Sequence, residues 1–232
     1  GNVLLAVDYS QVELRIVAHM AEDKAMLDAF LNDQDIHATT AAAINDVALE
    51  DVTKEMRRHA KAINFGLIYG MSAFGLTRTT DLTLAEAENF VAAYFNEFPG
   101  VRRYLDEIKQ KAARDEFVET LLGRKRYFRG LGKQKNRLIR QREEREAINA
   151  PIQGTAADIM KLAMLEVADA LKQSGLQAKI LLQVHDELVL ECPVKELEKT
   201  AELVKKEMSS AYKINVPLKT DARSGLNWGK MD

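Results

Sequence analysis

Three groups of residues in this sequence have the types and spacing for chemistry. Asp8 closes the short apolar run Asn2–Val7, and Asp186 sits in the tip His185-Asp186-Glu187 between apolar arms at 181–184 and 188–190. Carboxylates delivered by the ends of two buried strands suit hard divalent cations. Mg²⁺ takes one or two carboxylates plus waters and substrate phosphates rather than a full protein cage. Two such ions roughly 3.5–4 Å apart can stabilise the attacking and leaving oxygens of an in-line phosphoryl displacement. Asp is also a common turn residue and helix cap, so neither carboxylate is decisive alone.

The second group is MRRHAKAINFGLIYG, in which Arg57, Lys61, Phe65 and Tyr69 recur every four residues. On a helix they form one gently drifting stripe. Two cations followed by two aromatics are poor content for a core stripe. They suit a triphosphate with a flat base beyond it: Arg grips phosphate bidentately, Lys is a compact charge, and a ring stacks. The same pattern fits an amphipathic helix with a solvated basic end and a buried aromatic end. The third group, Arg145, Asn149 and Gln153, is again spaced by four, with Pro151 a candidate break. Amide and guanidinium groups suit the minor-groove acceptors, which are nearly sequence-independent; helix-start chemistry would explain them as well.

The elements that must carry these groups are legible in outline. Asn2–Val7 reads as a buried strand and 11–20 as a helix. Segments 24–32 and 36–45 read as short helices, and 55–69 as a longer one stopped by Gly70. Thr83-Leu84-Ala85-Glu86 is a capping-box sequence opening a helix to about Phe98. Another helix follows Pro99-Gly100 to about Asp115. Val118–Leu122 and Arg126–Phe128 flank Gly123-Arg124-Lys125 as a small basic hairpin. The following helical stretch is interrupted or restarted at Pro151 and ends by Gly175. A hairpin at 181–191, a helix at 195–210 and a strand near 217–220 complete the chain. This order, strand, long helical insertion, then strands, predicts a mixed α+β fold with a helical subdomain inserted into a sheet-bearing core.

Bulk properties bound the reading. With 232 residues, 47% hydrophobic and 29% charged, the chain has the make-up of a globular protein. No apolar stretch approaches the ~20 residues of a membrane span, so no membrane partner is expected. The start, GNVLLAVDYS, has no basic n-region or cleavage pattern. One cysteine, Cys192, excludes an internal disulfide framework and makes a cytoplasmic setting the default. The net charge of −2 hides an asymmetry. Residues 1–56 carry eleven acidic and three basic side chains, whereas 121–145 carry ten basic and two acidic. Such a strip could meet a polyanion or simply be a solvated loop.

Taken together, DYSQVELR (8–15), RRHAKAINFGLIYG (57–70) and QVHDELVLE (183–191) resemble the three polymerase motifs of the family A DNA polymerases. DIHATTA (35–41), VETLLGRKRY (118–127) and NAPIQGTAADIMKLAM (149–164) are similar to that family too, in the same order. The resemblance implies a right-hand architecture: palm at 1–21 and 141–232 with a small antiparallel sheet, and helical fingers with a basic hairpin at 22–140. It implies Asp8, Asp186 and the Tyr9 carbonyl as ligands of two Mg²⁺ ions. Arg57, Lys61 and His37 match triphosphate contacts, Lys61 being also the proposed general acid for pyrophosphate. Gln11 lies where the family contacts the same nucleotide, and Glu13 matches the residue that crowds the sugar 2′ position. Tyr69 matches the ring that stacks near the template base, and Phe65 goes with discrimination against dideoxynucleotides. Arg145, Asn149, Gln153, Gln183 and His185 match groups at the primer terminus and minor groove. Glu187 would lie beside the metals without being a primary ligand.

The implied reaction is template-directed nucleotidyl transfer from a deoxynucleoside triphosphate to a primer 3′-hydroxyl, with primer–template DNA as partner. The family places a thumb, part of the palm and an exonuclease-like domain before the first motif. The expectation is therefore a fragment lacking the thumb, with those other domains as further partners. Two alternatives stay open at this point: an inactive DNA- or nucleotide-binding fragment that needs the thumb, and a single-subunit RNA polymerase. Glu13 and the QVHDELV hairpin favour DNA synthesis.

Overall fold

A computed structural model describes residues 1–231. The chain forms two compact units, Gly1–Arg15 with Thr155–Asp232, and Ile16–Gly154. In chain order the elements are β1 (Asn2–Tyr9), α1 (Val12–Ala21), α2 (Lys24–Leu31), α3 (Ile36–Asn45), α4 (Lys54–Ile68), α5 (Ala73–Leu76), α6 (Leu84–Glu97) and α7 (Pro99–Asp115). There follow β2 (Phe117–Glu119), β3 (Lys125–Tyr127), α8 (Arg137–Ser174), β4 (Lys179–Val184), β5 (Glu187–Pro193), α9 (Leu197–Ser210) and β6 (Thr220–Gly225). The mixed class expected from the sequence is the one observed. No described helix is long and apolar enough to cross a membrane.

The first unit is built on an antiparallel sheet of order β4-β5-β1-β6. The most apolar strands take the middle. Leu5, Ala6 and Val7 of β1 and Leu188, Val189 and Leu190 of β5 are at most 2% exposed, as strands covered on both faces should be. One register fixes the site: Asp8 pairs with Glu187 on β5 and with Asp221 on β6. Helix α9 packs on β1 and β6 through Val204 and Met208. Tyr9 is tied to it by a hydroxyl donated to the Met208 carbonyl at 2.6 Å.

Within the second unit, α3 packs against α2, α4 and α6, and α6 against α5 and α7. The capping box forms as its sequence dictates, Thr83 Oγ1 accepting from the Glu86 N–H and the Glu86 carboxylate from the Thr83 N–H. Pro99 occupies the first turn of α7, where its missing N–H costs nothing. The β2–β3 hairpin covers a small separate core of Ala112, Val118, Phe128, Leu131 and Ala147.

Three local expectations need correction. Helix α8 runs unbroken from Arg137 to Ser174 with Pro151 inside it. An interior proline costs a helix about 3 kcal/mol. Ile148 and Ile152 on either side are at most 1% exposed, and their burial holds the helix together. The last strand lies at 220–225, not 217–220, because Pro217 has no N–H to give a ladder. The arms of the 181–191 hairpin are unequal. Strand β5 is buried, but β4 is a sheet edge that leaves Leu181 and Leu182 half exposed.

Candidate active site

The β1 register brings a crowd of carboxylates to one end of the first unit's sheet. Asp8, Glu187 and Asp221 are cross-strand neighbours on one face. Asp186 joins them from the β4–β5 turn, whose carbonyl accepts the Tyr9 N–H at 3.0 Å. The turn requires a left-handed backbone at His185, φ 54°, and Gln11 just after β1 adopts the same conformation, φ 55°. Non-glycine residues rarely sit there, and such strain persists where surrounding structure enforces it. Gln183 closes the turn by donating Nε2 to the His185 carbonyl at 2.6 Å.

Electrostatically the four carboxylates are not equivalent. Glu187 is satisfied, Oε2 accepting from Arg223 Nη2 at 2.6 Å and Oε1 from Trp228 Nε1 at 3.0 Å. Asp8 Oδ1 is buried with no hydrogen-bond partner among the described residues. Burial pushes the Asp8 carboxyl above its usual range; Arg223 pulls it down, and Asp186, Asp221 and Glu187 push it up again. Glu13, at the start of α1, is raised by burial and by Asp186. An orphaned buried oxygen beside a second carboxylate is a costly arrangement without a cation. The donors are hard oxygens, which fits Mg²⁺. No group of three or more His, Cys, Asp or Glu side chains among the described residues could hold a metal by itself.

In the second unit the stripe on α4 lies where spacing predicts. Arg57 and Lys61 are exposed and Phe65 and Tyr69 half-buried, whereas Ile63, Asn64, Leu67 and Ile68 on the other side are buried. The Phe65 and Tyr69 ring centroids are 6.4 Å apart, and the Phe65 ring is 5.8 Å from that of His37. Asp35 does two jobs here. One oxygen caps α3, accepting from the N–H groups of His37 and Ala38, and the other accepts from Arg57 Nε at 2.6 Å. Burial alone would raise the Asp35 carboxyl, but the Arg57 bond and the two N–H groups outweigh it and hold it below the usual carboxylate range. His37 is 2% exposed. Burial pulls its pKa down to about 4, with Asp35 opposing and Arg57 and Lys61 assisting.

Arg145, Asn149 and Gln153 do share one stripe of α8, since Pro151 leaves the helix intact. Arg145 and Gln153 are exposed, and Asn149 keeps a buried, unpartnered Oδ1 among the described residues. Gly70 ends α4 with φ +72°, and a Cβ there would come within 3.1 Å of the Arg145 and Ile148 side chains. A cleft of about 300 Å³ opens beside it, lined also by Lys109, Leu138 and Gln141. Sequence reasoning missed Asp35, Asn64, Arg223 and Trp228 as partners of these groups. Asp35 has a local signal as the N-cap of α3, but no spacing rule points to its bond with Arg57 or to the other three, which act across distant elements.

The profile of DNA polymerase family A matches residues 1–230. The chain belongs to DNA polymerase family A. It is 49% identical over 228 residues to DNA polymerase I of Caldicellulosiruptor bescii, covering 98% of this chain and 27% of that protein. It is 51% identical to DNA polymerase I of Pseudomonas aeruginosa, covering 98% of this chain and 25% of that protein. It is also similar to the POL domain of Pol1 from M. smegmatis, solved in complex with DNA primer-template and dNTP. That likeness has a TM-score of 0.92 at 42% identity and covers 97% of this chain and 40% of the other. This family A chain thus spans about a quarter of the length of the curated relatives it matches.

Proposed function

We propose that this chain carries the nucleotidyl-transfer site of a DNA-directed DNA polymerase, extending a primer 3′-hydroxyl on a DNA template with deoxynucleoside triphosphates. One observation carries the reading: the Asp8 oxygen beside Asp186, buried and unpartnered among the described residues, at the end of the sheet's two most buried strands. Family membership and the likeness to a polymerase solved with primer-template and dNTP support it.

In this reading Asp8, Asp186 and the Tyr9 carbonyl would hold two Mg²⁺ ions, which when bound supply Lewis-acid activation of the 3′-hydroxyl and neutralise charge on the leaving pyrophosphate. The remaining work falls to the chain's own groups. Arg57 and Lys61 grip the triphosphate, and the Lys61 ammonium gives a proton to the departing pyrophosphate oxygen. His37 adds a neutral contact to the same phosphates, and Gln11 touches the same nucleotide. Glu13 closes the space at the sugar 2′ position. Phe65 packs on the sugar, and Tyr69 stacks near the template base. Arg145, Asn149, Gln153, Gln183 and His185 line the primer terminus and the minor groove. Positioning and charge stabilisation supply nearly all of the rate, as in phosphoryl transfer generally.

The same proposal assigns residues 1–21 and 141–232 to a palm and 22–140 to fingers. It places the protein in the cytoplasm, with a thumb and an exonuclease-like domain as its partners. Primer extension by a thumb-bearing polymerase carrying this chain tests it. Templated incorporation of deoxynucleotides, strongly preferred over ribonucleotides, is the expected result. Equal use of ribonucleotides, or extension that ignores the template, would overturn it.

A further inference from the structure

Three polar side chains pack between α3 and α4: Thr40 and Asn64 are 0% exposed, and His37 keeps 2% of its surface exposed. Their hydrogen bonds leave little freedom. Thr40 has one hydroxyl proton and two acceptors within reach, the Ile36 carbonyl at 2.7 Å and Asn64 Oδ1 at 3.2 Å, and the shorter bond takes it. Its oxygen then accepts from Asn64 Nδ2 at 3.0 Å. The same Nδ2 lies 3.1 Å from His37 Nδ1. An amide nitrogen has two N–H donors and accepts nothing. One serves Thr40 and the other serves Nδ1. Reversing the amide would keep a single N–H on Thr40 Oγ1, at the longer 3.2 Å, and turn the amide oxygen toward Nδ1, so the orientation found makes two donor bonds where the reverse makes one.

A ring nitrogen that accepts a hydrogen bond carries no proton. Burial keeps the His37 ring neutral at pH 7. A neutral ring has one proton, and it must then sit on Nε2. We propose that Asn64, anchored by Thr40, is a positioning residue that fixes His37 as the Nε2–H tautomer, so that the ring offers the incoming triphosphate a single fixed neutral donor. The inference rests on the reading of His37 as a triphosphate contact. The ionised groups facing the ring are Asp35 at the cap of α3 and Arg57 and Lys61 on α4. With two cations already there, a neutral donor adds direction without adding a third positive charge that would hold pyrophosphate back.

Nitrogen-15 NMR of the chain labelled at its four histidines reads the tautomer directly, with His37→Gln assigning the signals. Between pH 6 and 8, His37 is expected to show a protonated Nε2, an unprotonated Nδ1 and no titration. In Asn64→Asp the new carboxylate accepts instead of donating, so Nδ1 becomes protonated and the ring titrates at higher pH. Thr40→Val keeps the shape and removes the anchor, and is expected to mix the two tautomers. In primer extension by a polymerase carrying this chain, Asn64→Leu should raise KM for the nucleotide roughly tenfold, with kcat changed much less. A protonated Nδ1 in the unmodified chain, or a ring unchanged in Asn64→Asp, would overturn the assignment. If the ring behaves as stated but His37→Gln leaves the nucleotide KM untouched, the triphosphate reading of His37 fails instead, and with it the use made of the tautomer.

Discussion

Asp8 on β1 stands directly opposite Glu187 on β5, yet only Glu187 has both carboxylate oxygens hydrogen-bonded, to Arg223 and Trp228. Asp8 is left with a buried, unpartnered oxygen among the described residues. The two acids therefore answer mutation in opposite ways. In Asp8→Asn, stability is held or raised, because folding disfavours the ionised form of Asp8, while nucleotide incorporation falls by about a thousandfold. In Glu187→Gln, stability falls by about 1–3 kcal/mol as Arg223 loses its charge partner, and the rate changes by less than about tenfold. Chemical denaturation and single-turnover extension on the same samples check both. Glu187→Gln abolishing activity with unchanged stability would reverse the two roles.

Asp35 joins a helix cap to an ion pair, and magnitudes say which matters for folding. An N-cap is worth about 1 kcal/mol, whereas a half-exposed pair such as Asp35–Arg57 contributes less. Asp35→Ala should lose about 1 kcal/mol of stability, and Asp35→Asn, which still caps, less than about 0.5 kcal/mol. Both free Arg57, so both should alter nucleotide KM to a similar degree. Equal stability losses in the two variants would assign the energy to the ion pair.

His37 predicts a pH effect with a definite sign. Its folded pKa of about 4 lies below the ordinary 6.5, so the folded state resists a proton that the unfolded chain accepts. The contribution is absent above about pH 7 and becomes a growing penalty as pH falls from 6.5 toward 4. Between pH 7.5 and 5 it amounts to about 2 kcal/mol. Urea denaturation at the two pH values should show that loss, and His37→Gln should lack that component. An identical pH slope in the variant would show that His37 titrates normally.

The Phe65 ring lies 5.8 Å from that of His37. A tyrosine there would bring a hydroxyl that could replace the one missing from a dideoxynucleotide. Phe65→Tyr is expected to raise the dideoxy/deoxy incorporation ratio roughly tenfold or more. An unchanged ratio in competitive primer extension would remove Phe65 from the sugar contact.

Much of this arrangement is legible in the sequence because it depends on short-range rules. The four-residue recurrence of Arg57, Lys61, Phe65 and Tyr69 placed them on one stripe, and the capping box at Thr83 formed as written. Burial decided where local rules failed. Pro151 stays inside α8 because the isoleucines beside it are packed. Strand β6, TDARSG, has no hydrophobic signature because it is an edge strand with only Thr220 buried. The partners that tune the site were illegible for a different reason. Asn64 meets His37 across 27 residues, Arg223 meets Glu187 across 36, and Trp228 meets it across 41. No periodicity records such meetings; only the strand register and helix packing create them.

Asp8 and Asp186 are proposed as the metal-dependent centre of DNA synthesis. Primer extension by Asp186→Asn, in a thumb-bearing polymerase carrying this chain and with Mg²⁺ saturating, tests it most directly. The expected result is a fall in the single-turnover rate of about a thousandfold or more, with primer–template affinity and folding stability close to those of the unmodified protein. Extension by Asp186→Asn at the normal rate would contradict it.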